Sequence, residues 1–453
     1  MYTERLARFV TDTHDDDIPA GVMAAARDAL IDTLGCGLAG AHDPASRITE
    51  RWLAANGGAP TATVWGAMSK APPAAAAFVN AVRSHVLDYD DSSLNLRGHP
   101  SAVMMSTALA VGEVTQASGK ATLAAYACGL EVAAKLSPAL GSGHYFKGWH
   151  TTATIGIFGA AAIAARLFGL DAAAVRHAFG LAASQACGLT ANFGSMTKAF
   201  HVGHAARCGI DSAWLAHHGY TANPSIFEGK GNFIATYAGD GAKPLEALLP
   251  TLAAPWELDQ PGLYRKRFPC CYAAHRPMAA LLDLLERGRI TTSDIEAIEV
   301  GYLPGVQHPM VHHDPQTGLE AKFSTEYCMA AMALDRKVDM DSFEDAAVQR
   351  PQVRELMRRV TSRVIDEPGV YNGLTGYNIV RVRAGGIAHE HRMDRTPGSP
   401  DWPLVGEELA AKFLSCARRA LPENAVQRAL DLATRAAALS DIGELLETMR
   451  RTA

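Results

Sequence analysis

The chain has 453 residues, 48% hydrophobic and 20% charged, with 42 basic against 47 acidic side chains and a net charge of −5. That length exceeds what one hydrophobic core organises, so two domains are expected, and the composition is that of a folded globular protein. There is no basic stripe for nucleic acid, no apolar run of the roughly 20 residues a membrane span needs, and no segment that reads as a signal peptide.

Helices dominate the first half. Ala20 to Leu38 carries Val22, Met23, Ala26, Leu30, Ile31 and Leu34 at helical spacing. Further helices are expected over 71–87, 101–117, 121–137, 151–169, 171–186 and 198–219, with Gly169 as a stop and Asp171 as an N-cap. Their many Ala, Gly and Ser residues predict a compact bundle with several buried helices. The segment LAAPWELDQPG, with Pro255 and Pro261, reads as a connection. Beyond it Ile295 to Leu303 reads as a strand, Ile379 to Arg383 alternates weakly, and Gly385-Gly386 leads into IAHEHRM as a hairpin. Helices are expected at 276–287 and 318–334. A second Pro-rich connection, 396–403, precedes a helical stretch at 406–449. The expected architecture is mainly α: an all-helical domain of residues 1–255 plus 403–453, with an inserted α+β lid of 256–402.

Five segments could carry chemistry. HVLDYDDSSLNLRGHPS, 85–101, crowds two histidines and three aspartates together. Its acids miss the DDxxD spacing of magnesium sites, and nothing nearby cradles phosphate, so a solvated, capped helix end competes with a built site. His99 precedes Pro100-Ser101 at a helix start, where the dipole favours a neutral imidazole and a nearby anion. In GHYFKGWHTTATIG, His150 precedes another helix; alone, such a histidine packs or caps. In SMTKAFHVGHAARCG, Lys198, His201 and His204 share a helix face. No carboxylate follows at a metal-binding interval. Lys198 in a first helical turn opposes the dipole, which points to an anionic partner or to a plain surface lysine. YRKRFPCCYAAHRP brings the cations Lys266 and Arg267 beside Cys270-Cys271, which read as small buried residues. In EAKFSTEYCMAA, Tyr327 alone reads as core. The eight cysteines include no CxxC pair and read as reduced thiols of a cytoplasmic protein. Nucleophile-elbow, dinucleotide-binding and P-loop motifs are absent.

In this order, HVLDYDD…GHPS, GWHTTATIG, MTKAFHVGHAA, KRFPCCYAAH and FSTEYCMAA resemble the MmgE/PrpD family, and the likeness spans nearly the whole chain. That family includes 2-methylcitrate dehydratases, cis-aconitate decarboxylases and iminodisuccinate epimerases. The resemblance implies a helical domain with an α+β lid, a homodimer, and a site at which Asp88, His99, His150, Lys198 and Tyr327 act and Lys266 binds substrate. Ser92 corresponds to a threonine of decarboxylase members, in a loop one residue longer here. Those members carry a histidine where this chain has Cys271, which weakens a decarboxylase reading. Arg267 and His201 join the carboxylate-binding set by position. Lysines and arginines clamp carboxylates and imidazoles move protons. The expected activity is therefore a hydro-lyase of the 2-methylcitrate dehydratase type on a small di- or tricarboxylate, needing no cofactor. An epimerase, a decarboxylase and a non-catalytic carboxylate-binding protein are the alternatives.

Overall fold

In the computed structural model, which describes residues 1–369 and 371–451, every residue from Thr151 to Ala165 is buried. A helix covered on all sides cannot be amphipathic, and its sequence accordingly has no polar stripe. The chain forms two compact units. The first is Met1–Val86 with Asp90–Leu263 and Val405–Ala453; the second is Leu87–Tyr89 with Tyr264–Leu404.

The first unit is a helical bundle. Its main helices are α1 (Tyr2–Asp12), α2 (Ala20–Ala39), α3 (Pro44–Asn56), α4 (Pro73–His85), α5 (Pro100–Val114), α6 (Gly119–Phe146), α7 (Thr151–Leu167), α8 (Ala172–Ala183) and α9 (Thr197–His217). Helix α7 packs against α5, α6, α8 and α9, and α4 packs against α5 and α9. Small residues make these approaches close. A Cβ on Gly203 of α9 would lie 2.6 Å from the Phe78 carbonyl oxygen of α4. Gly203→Ala should therefore destabilise the fold by about 1–3 kcal/mol through overpacking, read by chemical denaturation; an unchanged midpoint would contradict this packing.

Two expectations need correction here. The helix expected over 121–137 runs from Gly119 to Phe146, with a break at Gly141 (φ 72°, ψ 173°). A side chain at that glycine would strike the backbone of residues 240–242. The bundle is also not strictly all-helical: Ala62–Thr63 pairs antiparallel with Lys70–Ala71. Asp171 caps α8 as expected, accepting from the Ala174 amide.

The second unit holds a four-stranded sheet of β1 (Ile295–Tyr302), β2 (Val360–Val364), β3 (Asn378–Ala384) and β4 (Ile387–Met393), in the order β2-β1-β3-β4. Strand β1 runs parallel to β2 and antiparallel to β3. The β3–β4 turn uses Gly385 and Gly386, both with positive φ (56° and 76°), as a tight hairpin requires. On β3, Asn378, Val380, Val382 and Ala384 are buried while Arg381 and Arg383 are exposed. Helix α10 (Tyr272–Arg287) covers β3 and β4 and also packs on α11 (Thr325–Asp335). The helix expected over 318–334 is two pieces, Gly318–Ala321 and α11, because Ser324 caps α11 through the Tyr327 amide. The chain then re-enters the first unit through α12 (Gly406–Ala417), which packs on α2. Among the described residues, no helix is long and apolar enough to cross a membrane.

Candidate active site

Helix ends of the first unit converge on a cluster of imidazoles. His85 is the last residue of α4; His99 and His150 immediately precede α5 and α7; Lys198 and His201 lie in the first turns of α9. The His85 and His99 ring centroids are 4.7 Å apart, those of His85 and His150 6.2 Å, and those of His150 and His201 5.4 Å. The bundle thus joins four histidines drawn from four separate segments.

Hydrogen bonds orient the rings and fix the tautomer of His99. Nδ1 of His99 lies 2.8 Å from the Asp91 carbonyl oxygen. A carbonyl only accepts, so Nδ1 carries the proton, and Nε2 is the basic atom of the neutral ring. The backbone at His99 is held by its amide, which donates to the Thr152 hydroxyl at 3.0 Å. Gly98 permits that approach, since a Cβ there would lie 2.5 Å from the same hydroxyl oxygen. Ser92 Oγ is 3.5 Å from His99 Nδ1. His85 Nδ1 pairs with Asp90 Oδ2 at 2.8 Å, and both side chains are buried. The Asp91 carboxylate accepts from the Ser101 hydroxyl and amide, which ties the loop to the start of α5.

Nδ1 of His150 faces Nδ1 of His201 at 3.2 Å. Two ring nitrogens can share one proton but not two, so the pair cannot be doubly protonated in this arrangement. Electrostatics agree. Burial, followed by the charges of His85, Lys198, His201 and His99, holds His150 well below the ordinary histidine range. Burial, followed by His85, His204 and Lys198, brings His201 down to about 4. Both rings are neutral at pH 7 and available as bases. Lys198 is mostly buried, with its ammonium 5.4 Å from the centre of the Phe193 ring, whose edge meets His150.

The second unit holds the other expected site residues. Lys266 is buried and donates to both the carbonyl and Oδ2 of Asp88, each at 2.8 Å. Asp88 has left-handed backbone (φ 52°). Lys322 Nζ donates to the carbonyls of Leu87 and Pro269, both at 2.8 Å, and the Tyr89 hydroxyl donates to the Arg267 carbonyl. The guanidinium of Arg267 lies over Trp402. Cys271 is the N-cap of α10. Tyr327 is fully buried; its hydroxyl donates to the Ser342 carbonyl and its ring packs on Phe343.

The structure therefore brings His99, His150, Lys198, His201 and Ser92 together in the first unit, and Asp88, Lys266 and Arg267 in the second; Tyr327 is also in the second, within its core. Reasoning from sequence did not single out His85 or Lys322, and it weighed Asp90 only as a magnesium ligand or a capping residue of a solvated helix end, whereas Asp90 is fully buried. His85 and Asp90 stand five residues apart in the polar stretch already quoted, but their pairing depends on the turn at Asp88.

The comparisons agree along the whole length. The MmgE/PrpD N-terminal domain model matches residues 4–245, and the C-terminal domain model matches residues 268–437. Human cis-aconitate decarboxylase is 30% identical over 446 residues, covering 95% of this chain and 90% of that protein. The mouse protein of the same name is 28% identical (99% and 93% covered), and that of Aspergillus terreus 26% (99% and 95%). The chain belongs to the MmgE/PrpD family.

Proposed function

We propose that the protein is a lyase acting on a small di- or tricarboxylate, and that it eliminates water after removing a proton from the carbon next to a carboxylate. The observation that carries this reading is the imidazole cluster: His150 and His201 held neutral by burial, His99 with its proton on Nδ1, and a lysine beside them. A C–H bond next to a carboxylate is very weakly acidic, so a base alone is insufficient; the developing enediolate needs a cation. Lys198 supplies that charge. His150 or His99 takes the proton, the electron pair moves into the new carbon–carbon double bond, and hydroxide leaves from the next carbon as a proton returns to it. The net products are an alkene and water.

Decarboxylation is the second reading, favoured by the names of the relatives. There the carbon–carbon bond to a carboxylate breaks, carbon dioxide leaves, and the carbanion takes a proton from the Lys198 ammonium or a ring N–H, which water then restores. The same groups suit that step. Cys271, at a position where decarboxylase members are expected to carry histidine, is what favours water elimination.

Proton NMR in deuterated water tests both, using 2-methylcitrate, citrate, cis-aconitate and iminodisuccinate. Alkene signals growing from a hydroxy acid support the first reading. Loss of carbon dioxide from cis-aconitate supports the second. Deuterium entering the α-carbon with interconversion of stereoisomers, and no alkene, would replace both with an epimerase. No reaction with any of them would overturn the substrate class.

A further inference from the structure

Glu257 lies on the connection that leaves the first unit, and it is 1% exposed. Its carboxylate accepts from the Ser93 hydroxyl at 2.8 Å and from the Asn95 amide at 2.7 Å. Those residues belong to the turn that ends at His99. Ser93 closes the turn: its amide donates to the Gly98 carbonyl at 2.9 Å, its carbonyl accepts from the Arg97 amide, and its hydroxyl accepts from the Leu96 amide. Ser92, the neighbour of His99, immediately precedes it. The charged groups facing Glu257 both come from α6. Glu131, itself fully buried, accepts from the Ala253 and Glu257 amides at 2.8 and 2.7 Å, and Lys135 lies 3.2 Å from Glu131. Lys135 is thus paired with Glu131 and acts on Glu257 only through its charge.

We propose that Glu257 is a positioning residue, a proton-operated latch that holds the 92–98 turn, and through it Ser92 and His99, in the working arrangement. Its effect on catalysis rests on the lyase reading; its effect on the turn does not. Burial is the main cause that pushes the Glu257 carboxyl up to about 7, with Glu131 adding and Asn95, Ser93 and Lys135 opposing. When the latch opens, water reaches the carboxyl and its pKa falls back to the ordinary carboxylate range. The closed state therefore binds the proton more tightly than the open one, and rising pH favours opening. The latch is closed in acid and loosens as pH rises through about 7.

Hydrogen exchange over residues 93–98 of the full chain tests this without substrate. After correction for the intrinsic pH dependence of exchange, protection in the wild type should fall at least about 10-fold between pH 6 and 8.5. Glu257→Gln cannot ionise and should be flat over that range. Asn95→Ala removes a donor that favours the ionised form and should move the transition to higher pH. With a turned-over substrate, kcat/KM should fall above pH 7 in the wild type, and this limb should be missing in Glu257→Gln. Flat protection in the wild type, a Glu257→Gln profile that still falls, or a shift to lower pH in Asn95→Ala would overturn the latch. If none of these di- and tricarboxylates reacts but the exchange step follows Glu257, the lyase reading fails and the latch stands.

Discussion

His150→Gln should lower kcat by about 10²–10⁴-fold, the range that a positioned proton-transfer group contributes. His150 is buried at the start of α7, its Nδ1 is 3.2 Å from that of His201, and burial with the surrounding cations keeps it neutral. Glutamine offers one donor and one acceptor at similar reach, so the bundle should survive and the circular dichroism spectrum should be unchanged. What glutamine cannot do is accept and return a proton. A variant with kcat within about threefold of wild type would remove His150 from the chemistry and leave it a packing residue. A variant that loses its fold would show that the ring is needed for structure; His201→Asn then poses the same question from the other side of the pair.

Lys412→Met should destabilise the protein by about 3–5 kcal/mol, because it leaves a buried carboxylate without its counter-ion. Lys412, on α12, lies 2.7 Å from Asp32 on α2, and their side chains are only 4% and 1% exposed. The neighbouring thiols, Cys36 and Cys416, cannot replace the ammonium. Burial holds Cys36 well above the ordinary thiol range and pushes Cys416 up to about 12. The double variant Asp32→Leu/Lys412→Met should recover most of the loss, since an apolar pair of similar volume costs no charge burial. Chemical denaturation of the single and double variants checks both numbers. A single variant within about 1 kcal/mol of wild type would mean that the pair is not sealed from water.

Particular residues show how much of this was legible in the sequence. The small-residue helices were readable because close packing demands Ala and Gly, and Asp171 was readable because a cap is a local signal. Helices α1 and α3 were overlooked although both carry local signals. Leu6, Ala7 and Val10 form the buried stripe of α1, and Asp43-Pro44 supplies the N-cap and first position of α3. His99, His150 and Lys198 stood out through position at helix starts and family likeness. His85, its pairing with Asp90, and Glu257 did not, for a physical reason. Their partners are chosen by loop backbone, including positive φ at Asp88 and Arg97, or lie far off in sequence, as Ser93 and Glu257 do at a separation of 164 positions. No periodicity reports such pairings. Tyr327 shows the converse: family likeness named it, and the fold places its hydroxyl on the Ser342 carbonyl inside the second unit.

The central claim is that the imidazole cluster of the helical unit moves a proton at a carbon next to a carboxylate. Loss of the label from substrate deuterated at that carbon tests it most directly. It should be followed by mass spectrometry over a single turnover of the best substrate, in wild type and in His150→Gln. With the wild type, the alkene product should have lost the label, with one deuteron released to water per turnover, and release should slow in step with kcat in the variant. Product that keeps the label, or release at the wild-type rate in His150→Gln, would contradict it.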